Sequence, residues 1–319
     1  MALVAFLKLC GFTQKHRGKV IAISSLGLFA ANVSYHVIPE QTFRKVYQAW
    51  PKGSPAKLSE KLHTLFQEVL ADIRCRSPAG YTPFSAYGFS PVSAGLPWLP
   101  EGCLIGIPAN FNTEGMDGAG IVDRKLVISG EEVDWTSQVG KKLRESLMLS
   151  LDAQKFSLAR EAVYAQTNGP VIEASVAPLC FTGVCLSSVG LKQLLGLYTG
   201  PMLLRLIFNL FAVSIGFTGY LLCSDEVRLW LDYRSDRKVA ALSRSYAQGG
   251  LEFYEKTLER NKILRGLMGK QGEKMYAPSG NLFPKHGLRV KHAPYTCRRD
   301  RIRQALDIHD RGHMFCCVI

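Results

Sequence analysis

The strongest indication of the fold comes from two apolar stretches: VIEASVAPLCFTGVCLSSVGL at residues 171–191 and LLRLIFNLFAVSIGFTGYLLC at residues 203–223. Each has the length that a helix needs to cross a hydrocarbon core, about 20 residues, and only a short loop separates the two. The segment 171–223 is therefore predicted to form a helical hairpin in the membrane. Because small residues let membrane helices approach closely, we expect tight helix contacts at Gly183, Gly190, Gly216 and Gly219.

A third apolar stretch lies near the N-terminus. Residues 20–39 contain no Lys, Arg, Asp or Glu, and a helix of that length extends about 30 Å, the thickness of a membrane core. We interpret this stretch as the first span, with a buried helix of a soluble protein and a signal peptide as the alternatives.

Three crossings would leave residues 40–170 and 224–303 on the same face of the membrane. The predicted fold is therefore an α+β membrane protein, in which the helical hairpin is inserted into one soluble domain built from both segments. A basic tail, 1–19, precedes the first span, and a second tail, 304–319, ends the chain.

The net charge of +13 is concentrated at the two ends of the chain, where residues 1–19 contribute +4 and residues 224–319 contribute +8. A composition of 47% hydrophobic and 20% charged residues excludes a disordered chain. No basic run interleaved with aromatic residues, no zinc-knuckle spacing and no phosphate loop occurs, so we expect no nucleic-acid partner. The absence of acidic residues before Glu40 favours mitochondrial import, with a secretory leader as the competing interpretation.

The segments outside the apolar stretches combine helical and strand patterns. Apolar residues at helical spacing through 58–73 predict a buried helix, with Ser54 and Pro55 as its cap and first turn. Short runs bounded by glycine or proline predict strands at residues 103–107 and 126–129. Longer periodic segments predict helices at about residues 141–166 and 227–268.

A cluster of side chains with metal-ligand chemistry lies near the C-terminus: Asp307, His309, Asp310 and His313. The surrounding segment has no apolar period that would fold it. We therefore interpret the cluster as part of a solvated tail and expect no metal site there.

Several strings resemble the transmembrane protein 177 family, a family of the mitochondrial inner membrane. They are SYH at 34–36, FQEVL at 66–70, PVSAG at 91–95, EFYEK at 252–256 and PSGN at 278–281. The resemblance covers roughly residues 14–303. It implies a role in the biogenesis of cytochrome c oxidase, in which the protein stabilises newly made subunit 2 together with the membrane chaperone of that subunit.

The order of elements is similar, more distantly, to that of membrane zinc metallopeptidases of the HExxH type. Their zinc helix needs two imidazoles at i and i+4 and a glutamate beside the first. The matching string here, REAVY at residues 160–164, keeps only Glu161, because Arg160 and Tyr164 replace the histidines. Asp232 occupies the position of a third ligand. The likeness implies a degenerate metallopeptidase fold without catalytic residues, bound metal or cofactor.

Asp236 follows Asp232 by one helical turn. We hypothesise that Arg160 pairs with Asp232, so that an ion pair takes over the cross-linking role of the metal between two helices. The alternative is that Arg160 and Asp232 are unrelated surface charges.

Together these observations predict a multi-pass inner-membrane protein that acts by binding, as a non-catalytic factor in cytochrome c oxidase assembly. One alternative is an active membrane metallopeptidase with an unrecognised metal site, and another is a lipid-binding protein that organises the membrane. The residues predicted to contact lipid or a partner are Lys291, Arg298 and Arg299.

Overall fold

The structure, a computed structural model, describes residues 15–50, 53–112, 126–284, 289 and 292–316, the last six of them by backbone alone. The chain divides into two compact units. Met1–Ser34 and Val171–Val227 form the first, called here the membrane unit, and Tyr35–Pro170 and Arg228–Ile319 form the second, the globular unit. The globular unit is thus assembled from two segments between which the hairpin is inserted.

Helix α1 spans Arg17–Val37 and has no buried residue. It ends near the predicted boundary because Ile38 precedes Pro39, and a residue before proline is disfavoured in the helical conformation. A π-helical turn, Glu40–Arg44, and a short helical turn, Lys45–Tyr47, follow.

Helix α2 spans Glu60–Asp72 and buries an apolar face made of Leu62, Leu65, Phe66, Val69 and Leu70. The predicted cap at Ser54 and Pro55 is wrong. Ser59 caps the helix instead, and its hydroxyl accepts a hydrogen bond from the Leu62 N–H at 3.3 Å. Ser59 adjoins the first helical residue and can satisfy a free N–H there.

A three-stranded sheet follows, formed by β1 (Tyr81–Ala86), β2 (Val92–Gly95) and β3 (Cys103–Pro108). The central strand, β3, is parallel to β1 and antiparallel to β2. All six residues of β3 are buried. The strand predicted at 103–107 is therefore the middle of the sheet.

A small hairpin, β4 (Val127–Ile128) and β5 (Glu131–Glu132), leads into α3 (Gln138–Leu147) and α4 (Leu151–Gln166). The single helix predicted at 141–166 is wrong, because Met148 is extended and ends α3. Ser150 then caps α4 by accepting a hydrogen bond from the Ala153 N–H at 3.2 Å.

The hairpin of the membrane unit is formed by α5 (Gly169–Leu194) and the long α6 (Met202–Ala240). Together with α1, these are the described helices long and apolar enough to cross a membrane. Close packing at the four glycines is confirmed only at Gly216, where an added Cβ would overlap Val184. A Cβ at Gly183, Gly190 or Gly219 would meet open space.

The chain ends with α7 (Arg244–Leu267), α8 (Gly269–Met275) and α9 (Tyr295–Cys316). The helix predicted at 227–268 is therefore wrong at its start. Helix α6 continues without a break to Ala240, and Ser243 caps the next helix by accepting from the Tyr246 N–H at 3.3 Å.

The prediction of a solvated tail over 304–319 is also wrong for its described part. Helix α9 continues through this segment, and Ile302, only 1% exposed, begins an apolar face that continues with Ala305 and Leu306. His309 contacts the Ala240 carbonyl oxygen at 3.1 Å, and Arg244 pairs with Asp310 at 2.6 Å. Apolar residues at helical spacing fold the segment against the rest of the globular unit.

The main core surrounds α4, which packs against α7 and α2 and against the sheet. Residues of α4 are buried around most of its circumference, among them Phe156, Leu158, Ala159 and Ala162. At Gly249 of α7 a Cβ would overlap the backbone of Asp152, and at Gly250 it would lie 2.6 Å from the ring of Phe156. These two glycines let α7 approach α4 closely.

Candidate functional site

Five charged side chains meet inside the globular unit: Arg160, Glu161, Asp232, Asp236 and Arg298. We call them the ion cluster. Helix α4 supplies the first two, the C-terminal part of α6 supplies the aspartates, and α9 supplies the last. The two aspartates are four residues apart and lie on one face of their helix. The cluster therefore joins three helices.

Arg298 makes the shortest contacts of the ion cluster. Its Nε lies 2.6 Å from Asp236 Oδ2 and its Nη2 lies 2.8 Å from Asp236 Oδ1, a bidentate arrangement. Its Nη1 lies 3.2 Å from Asp232 Oδ1. The Arg298 side chain is 2% exposed and that of Asp236 is 4% exposed, so this pair is almost completely removed from water.

Arg160 approaches the same two carboxylates from α4. Its Nη2 lies 3.7 Å from Asp232 Oδ1, and its Nε lies 3.8 Å from Asp236 Oδ1. The hypothesised ion pair between Arg160 and Asp232 is therefore present. These distances exceed those of Arg298, so Arg160 contributes charge to the aspartates more than directed hydrogen bonds.

Tyr254 of α7 contacts the ion cluster and is fully buried. Its hydroxyl donates to Asp236 Oδ1 at 2.9 Å, and its ring centroid lies 4.9 Å from the guanidinium carbon of Arg298. Burial raises the pKa of Tyr254 well above its usual value. The phenol therefore remains protonated and serves as a donor to the carboxylate.

Both arginines stay charged in this environment. Burial lowers the pKa of Arg160, and so does the neighbouring Arg298, but Glu161 and Asp232 outweigh them and the resulting pKa is raised. Burial also opposes the charge of Arg298, whose pKa is raised by Asp236 and Asp232. The helices are thus held together by charges with little access to water.

Glu161, the residue shared with the HExxH pattern, has both carboxylate oxygens engaged. Its Oε1 lies 3.1 Å from Arg160 Nη2, and its Oε2 accepts a hydrogen bond from the Ser93 hydroxyl at 2.6 Å. A general base needs an oxygen directed at its substrate. In this arrangement the carboxylate instead links α4 to β2.

Tyr164, at the second histidine position of the pattern, follows Arg160 by one turn of α4. A Cβ added at Gly169 would overlap its ring, so the ring packs against the start of α5. In the part of the chain that the structure describes, no group of three His, Cys, Asp or Glu side chains could hold a metal ion. The negative charge of the aspartates is met by arginine.

The three predicted lipid or partner contacts have different environments. Arg298 is buried in the ion cluster, so its prediction as a surface contact is wrong. Arg299 pairs with its neighbour Asp300 at 2.7 Å and is 28% exposed. Lys291 lies outside the described residues. The sequence analysis assigned Arg298 the wrong role. A signal was available, because Asp232 and Asp236 are two carboxylates facing one arginine, Arg160, and a second cation is needed to neutralise them.

These features identify a membrane protein with three apolar helices among its described residues, in which buried ion pairs cross-link the helices of the globular unit. The chain belongs to the transmembrane protein 177 family, whose sequence profile matches residues 124–291. The resemblance noted from short strings is thereby confirmed.

Three relatives illustrate the extent of the similarity. Transmembrane protein 177 of Xenopus laevis is 66% identical over 295 residues, which cover 92% of this chain and 95% of that protein. The Danio rerio protein of the same name is 52% identical over 301 residues, covering 94% and 97% of the two chains. The Homo sapiens protein is 46% identical over 293 residues, covering 92% and 93%. No solved structure matches the chain.

Proposed function

We propose that this protein is a non-catalytic assembly factor of cytochrome c oxidase in the mitochondrial inner membrane. In this role it binds newly made subunit 2 and the membrane chaperone of that subunit and stabilises them. Membership of the transmembrane protein 177 family supports the proposal, as do the three apolar helices. The function follows from the role that the family resemblance implies.

The ion cluster is the observation that favours binding over catalysis. In an HExxH peptidase, zinc would join the residues at positions 160, 164 and 232, and a glutamate at 161 would activate water. Here Arg160 and Arg298 bridge the helices, and Glu161 is held by Ser93 and Arg160. This arrangement supports a degenerate metallopeptidase fold in which a structural cross-link replaces the metal.

The apolar helices provide surface for partner helices. The most apolar 18 residues of α1 and of α6 include no buried residue, and only 11% of those of α5 are buried. Large side chains such as Ile23, Leu26, Phe211 and Phe217 are more than half exposed. In a membrane these surfaces face lipid or another helix, because apolar groups are stable in either environment.

The assembly role is tested by purification from mitochondria in mild detergent. The tagged protein is isolated after a short pulse of labelled mitochondrial translation, and labelled subunit 2 is quantified in the eluate. We expect enrichment over an unrelated tagged inner-membrane protein of similar abundance. Enrichment no greater than that of the control would contradict the proposal.

A separate experiment tests the absence of catalysis. Zinc is measured by mass spectrometry in the purified protein, and the Glu161→Gln variant is compared with wild type in subunit 2 stability. We expect less than about one zinc per ten chains, and we expect the variant, where it is folded, to retain its activity in assembly. Stoichiometric zinc together with loss of function in a folded Glu161→Gln protein would instead indicate an active metallopeptidase.

A further inference from the structure

A cavity of about 570 Å³ lies in the globular unit between the C-terminal part of α6 and helix α9. Its volume is within the range of small-molecule sites. The lining residues that matter here are Trp230, Tyr233, Arg234, Arg237, Arg301 and Ile308. The ion cluster lies behind one wall, where Asp236 contributes to the lining while Arg298 holds its carboxylate in a bidentate pair.

The cavity carries uncompensated positive charge. Among the residues that the structure describes, Arg234, Arg237 and Arg301 have no ion pair with a carboxylate. The one carboxylate in the lining, that of Asp236, is already neutralised. Three guanidinium groups around a single cavity favour an anion that accepts several hydrogen bonds, and phosphate is the anion that arginine matches best in geometry.

Two of these arginines are held by aromatic rings. The guanidinium carbon of Arg301 lies 3.5 Å from the ring centroid of Tyr233, and that of Arg234 lies 4.8 Å from the ring centroid of Trp230. Stacking of this kind orients a guanidinium group while leaving its N–H donors free at the edge. The donors are therefore partly ordered before a ligand arrives.

The same cavity presents apolar surface beside the charges. Trp230 is 51% exposed and Ile308 is 65% exposed. In the sequence, Trp230 and Tyr233 follow the apolar stretch 203–223 by seven and ten residues. Aromatic residues placed just after a span are typical of the membrane–water interface. A free phosphate would use the arginines but would leave this apolar surface exposed to water.

We propose that this cavity binds the phosphate of an anionic membrane phospholipid. Arg234, Arg237 and Arg301 contact the phosphate oxygens, while Trp230 and Ile308 contact the glycerol and the first part of the acyl chains. The site differs from the predicted lipid contacts, because Arg298 is engaged with Asp236 and does not reach solvent. The inference is independent of the proposed role in oxidase assembly.

The proposal is tested with the full-length protein in a neutral detergent. Phosphatidylglycerol and phosphatidylcholine are titrated separately, and bound lipid is counted by native mass spectrometry. We expect phosphatidylglycerol to bind at least about tenfold more tightly than phosphatidylcholine, since each basic residue near an anionic lipid adds to the attraction. The triple variant R234Q/R237Q/R301Q should lose this preference. An equal affinity of wild type for the two lipids would overturn the proposal.

The matched control is K141Q/K142Q/K270Q, which removes the same charge from exposed positions outside the cavity. We expect this control variant to keep the preference for phosphatidylglycerol. Loss of the preference in the control variant would show that only net charge matters, which would overturn the proposal. If circular dichroism shows that the triple variant is unfolded, lipid binding is measured with the R301Q variant instead, because Arg301 is exposed. An unchanged affinity of R301Q for phosphatidylglycerol would contradict the assignment.

A competition arm distinguishes a lipid from a free anion. Inorganic phosphate is added at increasing concentration at constant ionic strength. We expect millimolar phosphate to leave phosphatidylglycerol bound, and Trp230→Ala to weaken lipid binding. Displacement at micromolar phosphate, with no effect of Trp230→Ala, would identify a free-phosphate site and overturn the lipid assignment.

Discussion

Arg298 and Arg160 share the carboxylates of Asp232 and Asp236 unequally. Arg298 makes bidentate contacts of 2.6 and 2.8 Å to Asp236 and is 2% exposed, whereas Arg160 lies 3.7 Å or more from either aspartate and is 22% exposed. A buried ion pair costs desolvation to form, but removal of one partner leaves an uncompensated charge. The stability of the cluster therefore depends most on Arg298.

We predict that Arg298→Gln lowers the free energy of unfolding of the globular unit by about 3–5 kcal/mol. The matched control is Arg303→Gln on the same helix. Its guanidinium pairs with Glu255 at 2.9 Å, and both side chains are nearly half exposed, so the loss should be below about 1 kcal/mol. Chemical denaturation followed by circular dichroism in detergent measures both. Equal losses of unfolding free energy in the two variants would contradict the prediction, because the buried pair would then stabilise the protein no more than the exposed pair.

The buried phenol of Tyr254 gives a pH dependence. Because burial raises its pKa in the folded state, the unfolded chain loses this proton first, from about pH 10 upward. The folded state then binds more protons than the unfolded state, so its stability is fully present below that pH and falls as pH rises.

Tyr254→Phe should reduce the slope of unfolding free energy against pH above about pH 10 by about 1.4 kcal/mol per pH unit, the value for one proton. Thermal unfolding between pH 9 and 11 measures the slope. Tyr87→Phe is the control for the loss of a phenol, because Tyr87 is 78% exposed. A Tyr254→Phe slope equal to that of wild type would contradict the prediction.

At the scale of elements, the approach of α7 to α4 depends on glycines. Gly249 faces the backbone of Asp152, and Gly250 faces the ring of Phe156. A methyl group fits at neither position without moving a helix. Helical periodicity alone gives no hint of this contact, because glycine in a helix is usually unfavourable and its benefit appears only when a neighbouring backbone comes close.

We predict that Gly249→Ala destabilises the protein by about 1–3 kcal/mol, as expected of overpacking in a core. Gly266→Ala on the same helix should instead be neutral or stabilising by up to about 1 kcal/mol, since nothing lies within 4 Å of an added Cβ there. The difference between the two melting temperatures provides the measurement. Stabilisation by both substitutions would contradict the prediction, because it would show that α7 is free to move away from α4.

Helix ends were predicted less well than helix interiors. The apolar stripe predicts α2 correctly, but the sequence pattern does not show where α2 starts or that helices end at Met148 and before Arg244. In each case a serine hydroxyl begins the new helix by accepting a backbone N–H, at Ser59, Ser150 and Ser243. Serine is common throughout the chain, so its identity as a cap depends on where the apolar faces must pack.

At the scale of the whole molecule, two distant segments share one core. Contacts of the ion cluster join Arg160, before the hairpin, to Asp232 and Arg298, after it. Segments that pack together in one unit lie on the same side of a membrane. We therefore expect residues that precede the hairpin in the sequence and residues that follow it to be accessible from the same side of the membrane.

Thiol labelling tests this expectation. Lys57, exposed in the first segment, is replaced by cysteine, and the native Cys297, exposed in the second, is retained in a separate variant. The other cysteines are replaced by alanine. A membrane-impermeant maleimide should modify both positions from the same side of sealed membranes, and detergent-opened membranes are the control. Labelling of the two positions from opposite sides would contradict the prediction that the chain crosses the membrane an even number of times between the two segments.

The apolar spans, the α2 stripe, the strand at 103–107 and the family were predictable from the amino-acid sequence, because each depends on neighbouring residues: length, period or a short string. Tertiary contacts were needed to show that Arg298 belongs to the ion cluster, that α9 packs on the core and that Gly249 permits a close approach. The guanidinium of Arg298 meets a carboxylate 62 positions away. Which charge neutralises which, and which glycine faces a backbone, depends on the packing of whole helices, which no local pattern encodes.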